Sequence, residues 1–286
     1  MKQLAKTNIL GVGITPTSYD EVVRLCDHWL ASRNTRRALR GSERPGGRTR
    51  YIAVTSVHGI ITSVLDPSVR RCINRADVAT PDGMPVVWAL RSFGCRAQER
   101  VYGPTLTLAL CAMAEKRGHS IFLYGSRPET LDSLKDNLLL QYPNLRIAGS
   151  FSPPFRPLTE DESAEILQRI TDSGAAFVFV GLSTPKQELW MAAHAPQLDG
   201  MVLVGVGAAF DFHAGNLRQA PPWMQRSGLE WLFRLLAEPR RLWRRYLLVT
   251  PLFLPLWCLQ RLGILQFWRR FAFDEPRPRM VKSAGL

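Results

Sequence analysis

Asp82 sits in the turn Pro81-Asp82-Gly83-Met84-Pro85, directly after a short strand-like stretch at 77–80. A carboxylate on a glycine-bearing turn at a strand end is held by rigid neighbours while its oxygens stay exposed, which suits acid–base work. Asp-Gly is also an ordinary turn pair. Thr55, followed by Ser56 and His58, closes the apolar run 51–56. Gln187 enters a helix after the run 176–180, and Asp211 follows the run 201–206 with its Gly205-Val206-Gly207 turn. Arg100 lies in RVYGPT, just ahead of another helix.

A second group is cationic. Arg234, Arg241 and Arg244 are separated by seven and ten residues, a spacing read here as one side of a helix that Pro239 kinks. Such a face meets anionic lipid or clamps a diphosphate, and bidentate guanidinium geometry leaves both open. Around these arginines Trp223, Trp231, Phe233, Leu235, Leu236 and Trp243 alternate with further arginine, a pattern suited to the boundary between hydrocarbon and headgroup. The stretch 205–246 therefore reads as a joint between a soluble ligand site and a membrane surface.

Several chemistries lack their residues. His58, His194 and His213 are too irregularly spaced for zinc, and the five cysteines have no metal-ligand spacing. Gly11-Val12-Gly13 and Gly205-Val206-Gly207 are incomplete as dinucleotide fingerprints. No two aspartates lie two apart, so the Asp-x-Asp pair that holds a divalent ion on a nucleotide diphosphate is missing. Arginines and helix N-termini would have to stabilise a departing diphosphate. No metal and no cofactor is expected.

The elements that must position these residues follow from periodicity. Asn8 to Ile14 reads as a first strand, and Ser18 with Glu21 as a capping box for a helix to about Arg33. Arg33 to Arg50 reads as a basic loop. Strands at 51–56, 77–80, 120–124, 145–150, 176–180 and 201–206 then alternate with helices, one opened by Pro67 and one by the Thr159/Glu162 capping box. This rhythm predicts an α/β fold, a Rossmann-like, mostly parallel sheet covered by helices on both faces. In such sheets ligands gather at the carboxyl ends of the strands, where Thr55, Asp82, Gln187 and Asp211 fall.

The 286 residues carry a formal charge of +13, and the part from Asn216 onward holds +9 of it. Concentrated positive charge implies an anionic partner, either nucleic acid or an anionic leaflet. The thirteen residues 247–259 are apolar but hold two prolines, and about 20 are needed to span a bilayer as a helix. They read as interfacial, anchored by Trp257, Arg261, Trp268, Arg269 and Arg270, with a loose tail from Asp274. The expected organisation is an α/β core at 1–215, a basic, amphipathic, membrane-associating helical appendage at 216–272 and a disordered tail at 273–286. Scattered thiols and the absence of an N-terminal signal pattern predict the cytoplasmic side.

The pieces VTSVHGI (54–60), ADVATPDGMPVVWAL (76–90), RVYGPTL (100–106), FLYGS (122–126), VGLSTPKQELW (180–190) and the stretch 205–246 together resemble the WecG/TagA/CpsF glycosyltransferase family, bacterial enzymes of cell-surface polymer synthesis. The resemblance implies a metal-independent, inverting transferase. It would move a sugar from a UDP-sugar to a polyprenyl-diphosphate-linked acceptor at the inner membrane face. By the same likeness Asp82 is the general base, and Thr55, Ser56, Arg100, Gln187 and Asp211 line the nucleotide-sugar pocket. Ser56 stands where many relatives have Asn, and Thr105 where some have Asp, so the donor sugar is not named.

Two rival classes remain. A non-catalytic nucleic-acid-binding protein would use the same arginines, but proline-broken apolar sequence beside them favours a membrane. A nucleotide-sugar enzyme with a soluble substrate would not need the basic segment. Apolar surface on the core also permits a homo-oligomer.

Overall fold

A computed structural model of the chain describes residues 4–40 and 47–267. It opens with β1 (Thr7–Ile9) and β2 (Val12–Ile14), an antiparallel hairpin. The run 8–14, expected as one strand, is split because Leu10 and Gly11 turn at φ 53° and 83°, the left-handed pair that tight hairpins use. Helix α1 (Tyr19–Arg40) begins at the expected capping box, with Glu21 N–H donating to Ser18 Oγ (3.3 Å) and Ser18 N–H to Glu21 Oε2 (3.0 Å). It runs past the predicted end near Arg33 into the basic segment, of which 41–46 lie outside the described residues.

Strands and helices then alternate: β3 (Arg50–Thr55), α2 (Val57–Leu65), α3 (Pro67–Arg75), β4 (Val78–Pro81), α4 (Met84–Ser92), α5 (Gly103–Arg117), β5 (Ser120–Gly125), α6 (Pro128–Gln141), β6 (Arg146–Phe151), α7 (Glu160–Asp172), β7 (Phe177–Gly181), α8 (Lys186–His194), β8 (Val202–Gly205) and α9 (Ala209–His213). Among the described residues β3 to β8 form one parallel sheet in the order β4-β3-β8-β7-β5-β6. Both faces are covered, so successive residues of one strand enter different cores: Tyr51 and Ala53 pack on one side, Ile52 and Val54 on the other. The hairpin guards the β4 edge, where Thr15 N–H donates to Ala79 O (2.8 Å) and Ala79 N–H to Thr15 Oγ1 (3.0 Å).

A parallel sheet brings all carboxyl strand ends to one edge, and at β5 and β7 that edge is glycine. Gly125 pairs with Gly181, and a Cβ on Gly125, at φ 121°, would lie 2.6 Å from the Gly181 carbonyl oxygen. Neither backbone can yield. Gly125→Ala is expected to cost about 2–5 kcal/mol from the clash and the strained φ together. Urea unfolding checks this, and a midpoint equal to wild type would contradict the close approach.

After α9 the chain continues through α10 (Pro222–Arg226), α11 (Glu230–Ala237), α12 (Pro239–Trp243), a π-helical stretch Arg244–Val249 and α13 (Phe253–Arg261). This segment packs back on the core. Leu242, Tyr246 and Phe253 are buried, with Phe253 at 1% exposure. Gln260 ties it to the hairpin, accepting from Leu10 N–H (2.9 Å) and donating to Asn8 O (3.1 Å), and Trp257 Nε1 donates to Ser92 Oγ (3.3 Å). The stretch 247–259, expected to be interfacial, thus has two sides: Phe253 faces the core while Leu247, Leu248 and Leu254 stay exposed. Trp268, Arg269, Arg270 and the tail from 273 lie outside the described residues. No helix among the described residues is long and apolar enough to cross a membrane.

Candidate active site

Asp82 is placed by backbone. Its N–H donates to Thr55 O (3.0 Å) at the end of β3, and Val101 N–H donates to Pro81 O (3.0 Å), so the turn is pinned between two neighbours. Gly83 then takes φ 92° before α4 begins, a conformation that only glycine adopts without strain. The carboxylate stays reachable, with its side chain 20% exposed. Arg100 Nε and Nη2 both donate to its Oδ1 (3.1 and 3.0 Å), which leaves Oδ2 to other partners. Arg100 Nη1 meets Glu230 Oε2 at 2.7 Å, and its guanidinium lies 4.0 Å above the Tyr102 ring.

Asp82 borders two small cavities. One, of about 100 Å³, is lined by Ser56, His58, Met84, Arg100, Trp231 and Arg245 among others. The other, of about 90 Å³, is lined by Ser56, Gln187, Gly207, Arg234, Arg241 and Arg245 among others. Arg241 and Ser183 also line a cleft of about 1280 Å³ above the ends of β5 and β7, where Asp211, Lys186 and Trp190 sit. The three spaces share walls, so they form a row along the carboxyl edge of the sheet. Helices α11 and α12 cover its Asp82 end.

The site residues expected from sequence divide accordingly. Asp82, Ser56, Arg100, Gln187, Arg234 and Arg241 gather at the two small cavities, and Asp211 lies in the large cleft, carried on α9 rather than on a loop. Thr55 lies apart from these spaces. Its side chain is buried, its hydroxyl donates to Ala53 O (3.0 Å), and it lines none of the three spaces. Its contribution is the carbonyl that holds Asp82. Ser56, by contrast, caps α2 without using its hydroxyl, which is left for another partner.

Arg244 also lies apart from the three spaces. The arginines do not share one straight helix, because α11 ends at Ala237 and Glu238, at φ −133°, breaks the path before Pro239. Glu238 still draws two of them together: its Oε2 lies 2.5 Å from Arg241 Nη2 and 4.0 Å from Arg234 Nη2. Arg244 is exposed, with its guanidinium 5.3 Å from the Trp243 ring, and lines none of the three spaces. Arg245, in the π-helical stretch, lines both small cavities instead.

Positive charge is in excess at the two small cavities, where Arg100, Arg234, Arg241 and Arg245 meet Asp82 and Glu230. Arg245 has no carboxylate within ion-pair distance among the described residues, its Nε is buried without a hydrogen-bond partner, and burial pushes its guanidinium down from the usual arginine range. Arg234 Nε and Gln187 Oε1 are also buried and unpartnered. Burial, with Arg245 alongside, lowers His58 to about 4, so its ring is neutral at pH 7. Burial raises Glu188, whose Oε1 accepts from Thr184 Oγ1 (2.9 Å) and Gln187 Nε2 (3.1 Å). Glu188 thereby holds Gln187 at the cavity wall. Sequence reading passed over Glu230 because a lone acid on a basic helix looks like a surface charge; only its contact with Arg100 gives it a place.

A rigid carboxylate with a free oxygen, beside clustered guanidinium groups at a sheet edge, can deprotonate a hydroxyl next to a bound phosphoester. The model of the glycosyl transferase WecG/TagA/CpsF family matches residues 7–266. The chain therefore belongs to this family of glycosyltransferases of surface-polysaccharide assembly.

Proposed function

We propose that the protein transfers a sugar from a UDP-sugar to a polyprenyl-diphosphate-linked sugar, with inversion, at the cytoplasmic face of the membrane. The observation that carries this reading is the shared wall at Asp82, with a large cleft and arginine-rich cavity on one side and a space under Trp231 and Tyr246 on the other. The nucleoside occupies the cleft, whose 1280 Å³ is ample for a nucleotide sugar. The diphosphate lies toward Gln187, Arg234, Arg241 and Arg245. The acceptor hydroxyl enters from the Trp231 side, gives its proton to Asp82 Oδ2 and attacks the anomeric carbon opposite the departing UDP. One displacement inverts the centre.

The lipid part of the acceptor is met by the outer surface of the C-terminal helices. Trp223, Leu236, Trp243, Leu247, Leu248 and Leu254 are exposed there, with Arg240 and Arg244 between them. Such a face lies along an anionic leaflet, apolar side chains at the acyl boundary and guanidinium groups on phosphate. Replacing Trp243, Leu247 and Leu248 together with Ser is expected to weaken co-sedimentation with phosphatidylglycerol vesicles by about 10-fold or more, since each loses most of its transfer energy. Undiminished co-sedimentation would contradict a peripheral membrane role for this face.

The reaction itself is tested by screening UDP-sugars for UDP release with and without a polyprenyl-diphosphate sugar. Arg245→Met keeps an unbranched side chain and removes the guanidinium and its charge. It is expected to slow transfer at least about 10-fold, as loss of a charge-assisted contact to a phosphoryl oxygen does. Transfer at the wild-type rate would remove Arg245 from the diphosphate site.

A further inference from the structure

Arg100 is gripped from two sides. Asp82, on the sheet-edge turn, accepts hydrogen bonds from its Nε and Nη2, while Glu230, the first residue of α11, forms an ion pair at 2.7 Å with its Nη1 without hydrogen-bond alignment. All three side chains are largely shielded, at 20% exposure for Asp82 and 14% for each of the others. The Tyr102 ring lies beneath the guanidinium. This is the one chain of ion pairs among the described residues that joins the candidate base to the C-terminal helices.

From this geometry, and resting on the reading of Asp82 as the base, we propose that Glu230 is a positioning residue acting on Asp82 through Arg100. Two effects follow. Arg100 pinned by Glu230 keeps Asp82 Oδ1 occupied, so Oδ2 alone is presented to the acceptor hydroxyl. Glu230 also shares the charge of Arg100, so that charge does not act on Asp82 alone. The base is then complete only when α11 is docked, so the helices that meet the lipid also ready the carboxylate.

Other groups face Asp82 and stay constant in the comparison. Arg234 comes from α11, Arg241 from α12, Arg245 from the π-helical stretch and His58 from α2. Tyr19 and Tyr102, whose phenols burial raises, complete the surroundings and remain neutral in the working range. Of these groups the cations outnumber the anions. Losing the Glu230 charge therefore leaves Asp82 in a more positive field, which favours its ionised form and weakens it as a base.

The test is the pH dependence of kcat/KM for transfer in wild type, Glu230→Gln and Glu230→Asp, with UDP affinity measured by calorimetry on the same full-length proteins. In Glu230→Gln the acid limb is expected to move down by about one pH unit, with a plateau lowered about 10-fold and UDP affinity within about two-fold of wild type. Glu230→Asp keeps the charge at a longer reach; its limb stays at the wild-type position while its plateau falls. A Glu230→Gln profile superimposable on wild type overturns the proposal, as does an equal limb shift in both variants, which would reflect packing rather than charge. Should the amide variant fail to fold, Glu230→Asp decides alone, since a displaced limb there overturns the idea and an unmoved limb with a lowered plateau supports it. Glu230 and the parent reading fail separately: an active Asp82→Asn sinks the base assignment, whereas an inactive one with an unshifted Glu230→Gln profile sinks only the role of Glu230.

Discussion

Asp82→Asn is expected to lower kcat for sugar transfer by about 10²- to 10⁴-fold, the usual contribution of a positioned general base. The amide keeps the size of the side chain and an oxygen for Arg100, whose Nε and Nη2 both bind Oδ1 alone. The backbone bonds from Asp82 N–H to Thr55 O and from Val101 N–H to Pro81 O do not involve the carboxylate. Folding and UDP affinity are therefore expected to stay near wild type, and the loss falls on kcat rather than on donor KM. That split separates removal of basicity from damage to the pocket. Turnover close to wild type would show that another group takes the proton.

Phe253→Ala is the largest expected loss of stability, about 3–5 kcal/mol, because a fully buried aromatic leaves a cavity as well as forfeiting its transfer energy. Phe253 is 1% exposed and belongs to the core cluster that contains Val57, Ile60 and Ile61 of α2. It is the anchor by which the C-terminal segment grips the body of the protein. The expected signature is a lower urea midpoint at an unchanged slope, with activity at low denaturant retained in proportion to the folded fraction. If the midpoint stays at the wild-type value, the segment is not held to the core as described.

The parallel sheet was legible because strands buried on both faces are short apolar runs, and 177–180 and 202–204 are nearly pure examples. Capping boxes at Ser18/Glu21 and Thr159/Glu162 were equally plain, since each depends on two residues three apart. What escaped depended on contacts between distant parts. A β-hairpin turning at Leu10 and Gly11 hides inside an apolar run, because leucine rarely accepts a positive φ. The stretch 247–259 looked like a membrane face throughout, yet Phe253 points to the core, and composition alone does not say which side of a short apolar helix meets protein.

The site shows the same division. Asp82, Ser56, Gln187 and Asp211 were readable as polar residues after apolar runs, and the sheet brings those run ends to one edge. The alternation of a strand decides which of two neighbouring side chains is buried; here it turns Thr55 inward and leaves Ser56 at the cavity. Which of Arg244 and Arg245 meets the cavities was not legible, because the break at Glu238 resets the helical phase between Arg234 and both of them. Glu230 gave no signal of its own, for its meaning lies in an ion pair with Arg100 across more than a hundred positions of chain.

The central claim is that donor and lipid-linked acceptor meet at Asp82 under the C-terminal helices. Its most direct test is the release of UDP from a panel of UDP-sugars by the full-length protein, with and without a polyprenyl-diphosphate-linked sugar in anionic vesicles. The account predicts rapid release from at least one donor only when the acceptor is present, with the sugar recovered on the lipid in inverted configuration. Release that ignores the acceptor, or a product of retained configuration, would contradict it.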